Sequence, residues 1–382
     1  MKIAYIYSTM AATGGTERMI TEKANYLSEH DGYDITIITC FQCKNEENFF
    51  KISNKVKQIY LEIPYYSQYK YKYPKRLWVK WQINRLLNKS IKEAVRQINP
   101  DILIGVSRFK ANYISSLKCK AKKIIECHEV RYNTLHNVSD HQSFPTRVFM
   151  SIYSYFYYRT IERHADVVIT LTEKDRNLWK RAKQTEVIPN FSTMPISGTT
   201  NCKPKRVIAV GRLTWEKGFG RLIEAWRIVS SRHPDWHLDI YGQGQMYETL
   251  IALIKLYKAS NLVIHNNTSN ISQEYANSSI CAVTSYFEGF SLILLEAMMH
   301  GVPCVAFDCP FGPESIINDA SCGFLVENGD TRLFAERLCR LIEDEQLRKD
   351  FSKSAIETVK KFNTELIMSK TKNLYQQLVL MK

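Results

Sequence analysis

Short runs rich in β-branched and aromatic residues alternate with amphipathic segments from one end of this chain to the other, and nothing else in it narrows the possible folds so much. Parallel strands joined by crossover helices read this way, because strands buried on both faces lose the polar alternation of a half-exposed sheet. In the first half the strand candidates are 2–8, 34–40, 56–62, 101–106, 122–127, 166–171 and 185–189. A polar stretch containing Pro, Ser, Thr and Gly, 190–204, interrupts the pattern. Strands resume at 205–210, 236–241, 261–265, 280–284, 303–307 and 323–326. The chain therefore reads as α/β, with two open parallel sheets in tandem, which suits 382 residues at roughly 100 to 200 per domain. The expected division is a first domain at 1–190, a linker at 191–204, a second domain at 205–362 and a C-terminal helix at 363–382, read as able to return to the first domain. Ligands of such sheets lie beyond the carboxyl ends of the strands, so a cleft faced by both domains is the expected site.

Composition removes several classes of function. With 24% charged and 45% hydrophobic residues, the chain is neither disordered nor fibrous. Its 10 cysteines are scattered through apolar runs, and the single C-x-x-C, Cys40 to Cys43, lacks a second pair to complete a zinc site. Reduced, packing cysteines in a cytoplasmic protein are expected. The net charge of +14 is unevenly spread: residues 1–195 hold 31 basic and 18 acidic side chains, while 196–382 hold 21 and 20. An anionic partner is therefore expected for the first half. The uncharged run Val148 to Tyr158 is far shorter than the ~20 residues of a membrane-spanning helix, so any membrane contact is expected to be peripheral.

Four segments carry candidate chemistry. After the first strand come Gly14 and Gly15, followed by a helical pattern. Glycines at such a turn let backbone N–H groups approach an anion at the positive end of a helix, although they also serve merely to make the turn. Strand 205–210 leads into Gly211-Arg-Leu-Thr-Trp-Glu-Lys-Gly218, where Arg212 and Lys217 would clamp a diphosphate or, equally, face solvent. Next, Glu288-Gly289-Phe290-Ser291-Leu292 runs from a strand end into a helix start, with Ser291 as N-cap. Glu296 follows in the apolar sequence SLILLEAMM, where a buried carboxylate needs partners such as the vicinal hydroxyls of a ribose, unless it is a helix acid placed by the dipole. Finally, His128 closes strand 122–127.

Together, G-G-T-E-R after the first strand, G-R-L-x-x-E-K-G at the start of the second domain and E-x7-E resemble the retaining glycosyltransferase family 4, over nearly the whole chain. That resemblance implies the GT-B fold, two Rossmann-like domains facing a central cleft. It implies that Gly14 and Gly15 approach the donor diphosphate and that Arg212 and Lys217 bind it. Glu288 and His128 would contact the donor sugar, Glu296 would hold the ribose, and the amides of Gly289, Phe290, Ser291 and Leu292 would complete the phosphate nest. Where the pattern carries a glycine after strand 261–265, this chain has His265-Asn266-Asn267, and Tyr286 stands where relatives have Arg or another polar residue. The run Asp308-Cys-Pro-Phe-Gly-Pro-Glu314 is similar to a branch using UDP-activated galactose-type or N-acetylhexosamine donors in bacterial surface polysaccharides.

No D-x-D motif, phosphate-binding GKS/T loop or complete dinucleotide fingerprint occurs, so a metal-bound donor, an ATPase and a dehydrogenase are disfavoured. No metal and no cofactor are expected beyond a nucleotide-sugar co-substrate, UDP-linked by the resemblance. Between Tyr65 and Arg96, Lys70, Lys72, Lys75, Arg76 and Lys80 are interleaved with Trp78, Trp81 and five tyrosines. That mixture suits an anionic membrane surface better than nucleic acid, the alternative being a solvated basic face. The expectation is a peripheral enzyme of the inner membrane face that glycosylates a lipid-linked or glycan acceptor. Two rivals are a UDP-sugar epimerase of the same fold and a non-enzymatic basic module that binds membranes.

Overall fold

The computed structural model describes residues 1–131, 144–317 and 321–380. It parts into two units, Met1–Pro189 with the chain from Ile367 onward, and Asn190–Leu366.

In unit 1 the strands are β1 (Lys2–Tyr7), β2 (Asp34–Thr39), β3 (Lys57–Tyr60), β4 (Ile102–Val106), β5 (Lys122–Cys127), β6 (Val167–Thr170) and β7 (Thr185–Val187). They form one parallel sheet in the order β3-β2-β1-β4-β5-β6-β7, with Ile6 opposite both Ile38 and Gly105. The helices are α1 (Gly15–Glu29), α2 (Lys75–Ile98), α3 (Ala111–Ser116), α4 (Phe144–His164) and the short α5 (Glu173–Arg176). In unit 2, β8 (Arg206–Val210), β9 (His237–Tyr241), β10 (Leu262–His265), β11 (Ile280–Val283), β12 (Cys304–Asp308) and β13 (Gly323–Glu327) pair in the order β10-β9-β8-β11-β12-β13. Its helices are α6 (Phe219–Arg232), α7 (Tyr247–Tyr257), α8 (Ile271–Ala276), α9 (Leu292–Met299), α10 (Thr331–Glu343) and α11 (Glu345–Val359), and α12 (Thr364–Leu380) closes the chain. Every strand expected from the sequence is present within a residue or two of its expected ends.

Both sheets reverse direction once, between β1 and β4 in unit 1 and between β8 and β11 in unit 2. The loops leaving the two strands at such a switch point diverge and open a crevice. The candidate segments fall there: Gly14 and Gly15 follow β1, residues 211–218 follow β8, and 284–291 follow β11.

The strands are Val- and Ile-rich because helices cover both faces; β1 buries Ile3, Ala4, Tyr5 and Ile6 completely. On one face of the first sheet, Leu87 and Ile91 of α2 pack with Ile6, Leu103 and Ile125. In unit 2, Leu222 and Trp226 of α6 cover Val207, Leu238 and Ile240, and each fully buried aliphatic side chain contributes about 1.5–3 kcal/mol.

Two expectations need revision. The stretch 191–204 lacks regular secondary structure, but it is not a free linker. Phe191 and Cys202 are buried, the Thr200 amide donates to the His300 carbonyl at 2.9 Å, and Arg348 Nε donates to the Cys202 carbonyl at 3.2 Å. Hydrogen bonds to His300 and Arg348 thus tie this segment to unit 2. Ser291 does precede α9, but its side chain forms no capping hydrogen bond and its Oγ is buried without a partner among the described residues.

Candidate active site

In unit 2 the sheet brings two remote loops together. Lys217, at the end of the loop after β8, donates to Glu288 Oε1 at 2.7 Å, and the Ser285 hydroxyl donates to the same oxygen at 2.7 Å. The loop is fixed by backbone contacts: the Tyr286 amide donates to the Glu216 carbonyl at 2.9 Å, and Thr284 Oγ1 donates to the Lys217 carbonyl at 3.3 Å. Gly218 makes this approach possible. Its φ of +63° is left-handed, and a Cβ there would lie 2.1 Å from the Thr284 carbonyl oxygen.

Glu288 is held from its other side as well. It forms a parallel bridge with Phe311, and a Cβ on Gly312 would meet Glu288 Cβ at 2.6 Å. The Pro-Phe-Gly run, read from sequence as a cue to the donor, therefore also has a structural task. Phe311 adopts a φ of +80°, a strained conformation for a bulky residue and one that clusters at functional sites.

Arg212 lies apart from the Lys217–Glu288 pair. Its guanidinium contacts Glu216 at 3.3 Å, and its side chain remains 58% exposed, leaving it accessible to a ligand anion. Leu292 opens α9, and the first N–H groups of a helix have no partner within it, so the amides at 291–294 present donors beside Glu288. Gly289 precedes them, and Phe290 is buried against Phe362 at a centroid distance of 5.4 Å.

Glu296 is 5% exposed, and Tyr275 Oη of α8 donates to its Oε2 at 3.5 Å. The structure thus supplies a protein contact to this carboxylate, where the sequence reading named ligand hydroxyls or the helix dipole. Sequence reasoning also missed an aromatic stack beside the site. Trp215 lies on Tyr286 at 4.3 Å with rings 8° apart, and the Arg221 guanidinium covers Tyr286 at 3.8 Å. Arg221 also donates to the Thr284 carbonyl and, at 2.8 Å, to Asn328 Oδ1. An exposed Trp215 before Glu216-Lys217 and a Tyr286-Phe287 pair before Glu288 were the available signal.

Unit 1 contributes a second set. Gly14 is the N-cap of α1, Gly15 its first residue, and the Glu17 carboxylate folds back so that a Cβ on Gly14 would lie 2.1 Å from Glu17 Oε2. Tyr7 Oη donates to Glu17 Oε1 at 3.1 Å, and burial together with that carboxylate raises the phenol above its usual range. Just past β5, His128 Nε2 lies 3.4 Å from Glu126 Oε2, and its Nδ1 is buried with no partner among the described residues. Glu126 was not expected from sequence. It accepts from Lys23 Nζ at 2.9 Å and from Tyr375 Oη at 3.1 Å, so α1 and α12 converge on a carboxylate that orients His128.

The basic segment consists of a short 3-10 helix, 65–70, and the mostly exposed α2. Tyr66, Tyr73, Trp78 and Trp81 are each more than half exposed. Arg76 covers the Tyr69 ring at 4.4 Å and Lys75 the Tyr71 ring at 4.7 Å, so cations and aromatic faces are interleaved. Among the described residues, no group of three or more His, Cys, Asp or Glu is arranged to hold a metal, and no helix is long and apolar enough to cross a membrane.

Two parallel sheets, each with its candidate loops at a switch point, form the GT-B fold. The chain belongs to the family 4 and group 1 glycosyltransferases: the Glycosyltransferase Family 4 model matches residues 13–191 and the Glycosyl transferases group 1 model matches 192–358. It is 29% identical over 380 residues to the amylovoran biosynthesis glycosyltransferase AmsD of Erwinia amylovora, covering 97% of this chain and 98% of that one. The fold matches the sucrose-phosphate synthase of Thermosynechococcus elongatus with a TM-score of 0.81 at 19% identity, each chain covered in full. It also matches Anabaena HepE in complex with UDP and glucose, with a TM-score of 0.73 at 17% identity, covering 99% of this chain and all of that one.

Proposed function

We propose that this glycosyltransferase moves a hexose or N-acetylhexosamine from a nucleotide diphosphate sugar, UDP-linked, to a hydroxyl of a lipid-linked or glycan acceptor, with retention at the anomeric carbon. The pathway would be the synthesis of a bacterial surface polysaccharide or glycolipid. The observation that carries this reading is the Lys217–Glu288 pair at 2.7 Å, set beside the donor amides of α9 with Glu296 four residues into that helix. The naming of AmsD for amylovoran biosynthesis and the UDP and glucose held by HepE agree with it.

Breaking the sugar–phosphate bond places negative charge on the departing diphosphate. Lys217, Arg212 and the amides at 289–292 would stabilise that charge as it develops, without a metal or any cofactor beyond the nucleotide sugar. Glu288, paired with the lysine, would hold sugar hydroxyls, and His128, beside Glu126, is a further candidate contact to the donor sugar. Departure and attack on the same face of the sugar would retain its configuration.

Glu296 would accept from the ribose hydroxyls. Loss of a hydrogen bond to a charged group costs about 1.5–3 kcal/mol, so Glu296→Gln is expected to weaken UDP roughly 10- to 100-fold. Isothermal titration with UDP reads this directly, and unchanged affinity would return Glu296 to a structural role beside Tyr275.

The acceptor side of the proposal is a peripheral enzyme on the inner face of an anionic membrane, with no part for nucleic acid. It rests on the charge excess of residues 1–195 and the exposed aromatic rings on and before α2. Changing Lys70, Lys72, Lys75 and Arg76 together to Gln removes four charges, each worth about 1 kcal/mol on anionic lipid. Cosedimentation with phosphatidylglycerol vesicles at low salt should fall sharply while UDP affinity stays constant. If the wild-type protein ignores such vesicles and glycosylates only soluble acceptors, the segment is a solvated basic face.

A further inference from the structure

A column of stacked side chains in unit 2 has no part in the donor chemistry above. Trp215 lies flat on Tyr286, their ring centroids 4.3 Å apart and their planes 8° from parallel. The Arg221 guanidinium of α6 stands 3.8 Å from the Tyr286 centroid and 4.4 Å from that of Phe307 in β12. Two groups so close to one ring must take its opposite faces. The column therefore runs Phe307–Arg221–Tyr286–Trp215, and its outer end is an indole that is 55% exposed. Because Tyr286 covers one face of that indole, the open face is the other.

The column is fixed along its length. Phe307 is buried, and Arg221 donates to the Thr284 carbonyl and, at 2.8 Å, to Asn328 Oδ1. The Tyr286 amide is tied to the Glu216 carbonyl at 2.9 Å. An indole seated in this way has little freedom left to lose when a ligand covers it, so contact with its open face is kept as affinity. The support comes from this chain's own residues: Tyr286 stands where the family pattern carries Arg or another polar residue.

The open face is flat and apolar, and it carries the negative end of the ring quadrupole. The same loop bears Arg212 and Glu216, whose side chains are 58% and 29% exposed, and Asn328 is exposed beside Arg221. A pyranose suits both features. The C–H bonds on one face of its ring present partial positive charge to an aromatic face, and its edge carries hydroxyls for polar neighbours. A nucleobase would stack as well, but the nucleoside belongs elsewhere in the proposed reading. Glu296, assigned there to the ribose, accepts from Tyr275 of α8, and Glu274 of that helix pairs with Arg206 at 2.8 Å. Arg206 alternates along β8 with Val207, which packs under α6, so α8 covers the sheet face opposite α6. A nucleotide sugar runs from nucleoside through diphosphate to sugar. With the ribose on the α8 side and the diphosphate at Lys217, the side of α6 and Trp215 is left to sugars.

We propose that the open face of Trp215 is a carbohydrate subsite that stacks on a pyranose ring of the acceptor glycan. Its stacking chemistry rests on the column alone; the acceptor as the source of the sugar rests on the reading under Proposed function.

The test titrates the full chain, with UDP at saturation, with methyl α-glucopyranoside, methyl β-galactopyranoside and methyl β-N-acetylglucosaminide, followed by saturation-transfer NMR. Glucitol, an open-chain polyol without a ring face, is the control. Wild type should bind at least one pyranoside and not glucitol. Trp215→Ala should weaken that pyranoside about tenfold, on the scale of a lost aromatic contact, and Trp215→Phe, which keeps a smaller flat face, should restore most of it. Tyr286→Leu, which removes the support beneath the indole, should weaken it severalfold. UDP affinity by isothermal titration should stay constant in all three variants. No pyranoside binding by wild type, or equal binding by wild type and Trp215→Ala, overturns the proposal. A loss of UDP affinity in Trp215→Ala that matches the loss for the pyranoside assigns the face to the nucleobase and also overturns it. If wild type fails to bind UDP, the donor reading falls, and the same titration without nucleotide still decides the subsite.

Discussion

Lys217→Ala is expected to lower kcat/KM for sugar transfer by about 100- to 1000-fold, the usual consequence of removing one preorganised group that stabilises developing charge. Its ammonium is 2.7 Å from Glu288 and only 18% exposed, so water cannot readily replace it. The loss should appear mainly in kcat, because charge on the leaving diphosphate is greatest in the transition state. Arg212→Ala provides the comparison. Its side chain is exposed and pairs with Glu216 alone among the described residues, so removal should leave the unfolding midpoint unchanged while transfer still falls. Steady-state kinetics with a UDP-sugar donor measure both, and near-wild-type efficiency in either variant would take that residue out of the site.

The largest expected effect on stability lies in unit 1. Lys23 is fully buried and Glu126 is 1% exposed, and removing one partner of a buried ion pair costs about 3–5 kcal/mol because the other charge stays buried and uncompensated. Lys23→Met should therefore unfold unit 1 at distinctly lower urea, and Lys23→Met with Glu126→Leu should recover much of the loss. A double variant no more stable than the single one would mean that Tyr375 and His128, not the ion pair, need this carboxylate.

The pH dependence follows from the same group. Burial by itself would raise the Glu126 carboxyl, but the Lys23 ammonium and the His128 hydrogen bond outweigh it and hold the group at about 2, below its ordinary 4.5. A carboxyl depressed in the folded state adds stability that is complete above the unfolded value and is lost as the pH falls through the folded one. Urea midpoints should therefore drop between about pH 4.5 and about 2 in the wild type, and less in the double variant.

Much of the architecture was legible along the chain because the signals are local. Thirteen β-rich runs became thirteen strands among the described residues, since hydrophobic run length and turn residues report strand existence directly. The glycines at 14, 15 and 218 and the cations at 212 and 217 could be placed on loops after strands for the same reason. Ser291 stands at the N-cap as read, but the capping hydrogen bond is not made, because it depends on a side-chain rotamer that packing decides and the hydroxyl is buried. The stretch 191–204 looked like a linker because its composition is polar, while its hydrogen bonds to the remote His300 and Arg348 form only in the folded chain.

By itself, then, the sequence determined the two parallel sheets, their order along the chain and the loops between strand and helix that bear the candidate residues, all of which follow from periodicity over a few residues. Tertiary structure alone decided which loops meet. Lys217 and Glu288 are 71 residues apart and touch because β11 pairs with β8, placing their two loops at one switch point. Glu126 receives Lys23 from α1 and Tyr375 from α12, at separations of 103 and 249 residues. No local pattern encodes such partners: they arise from strand order and from the need of a buried charge for a counter-charge, and both act only once the chain is folded.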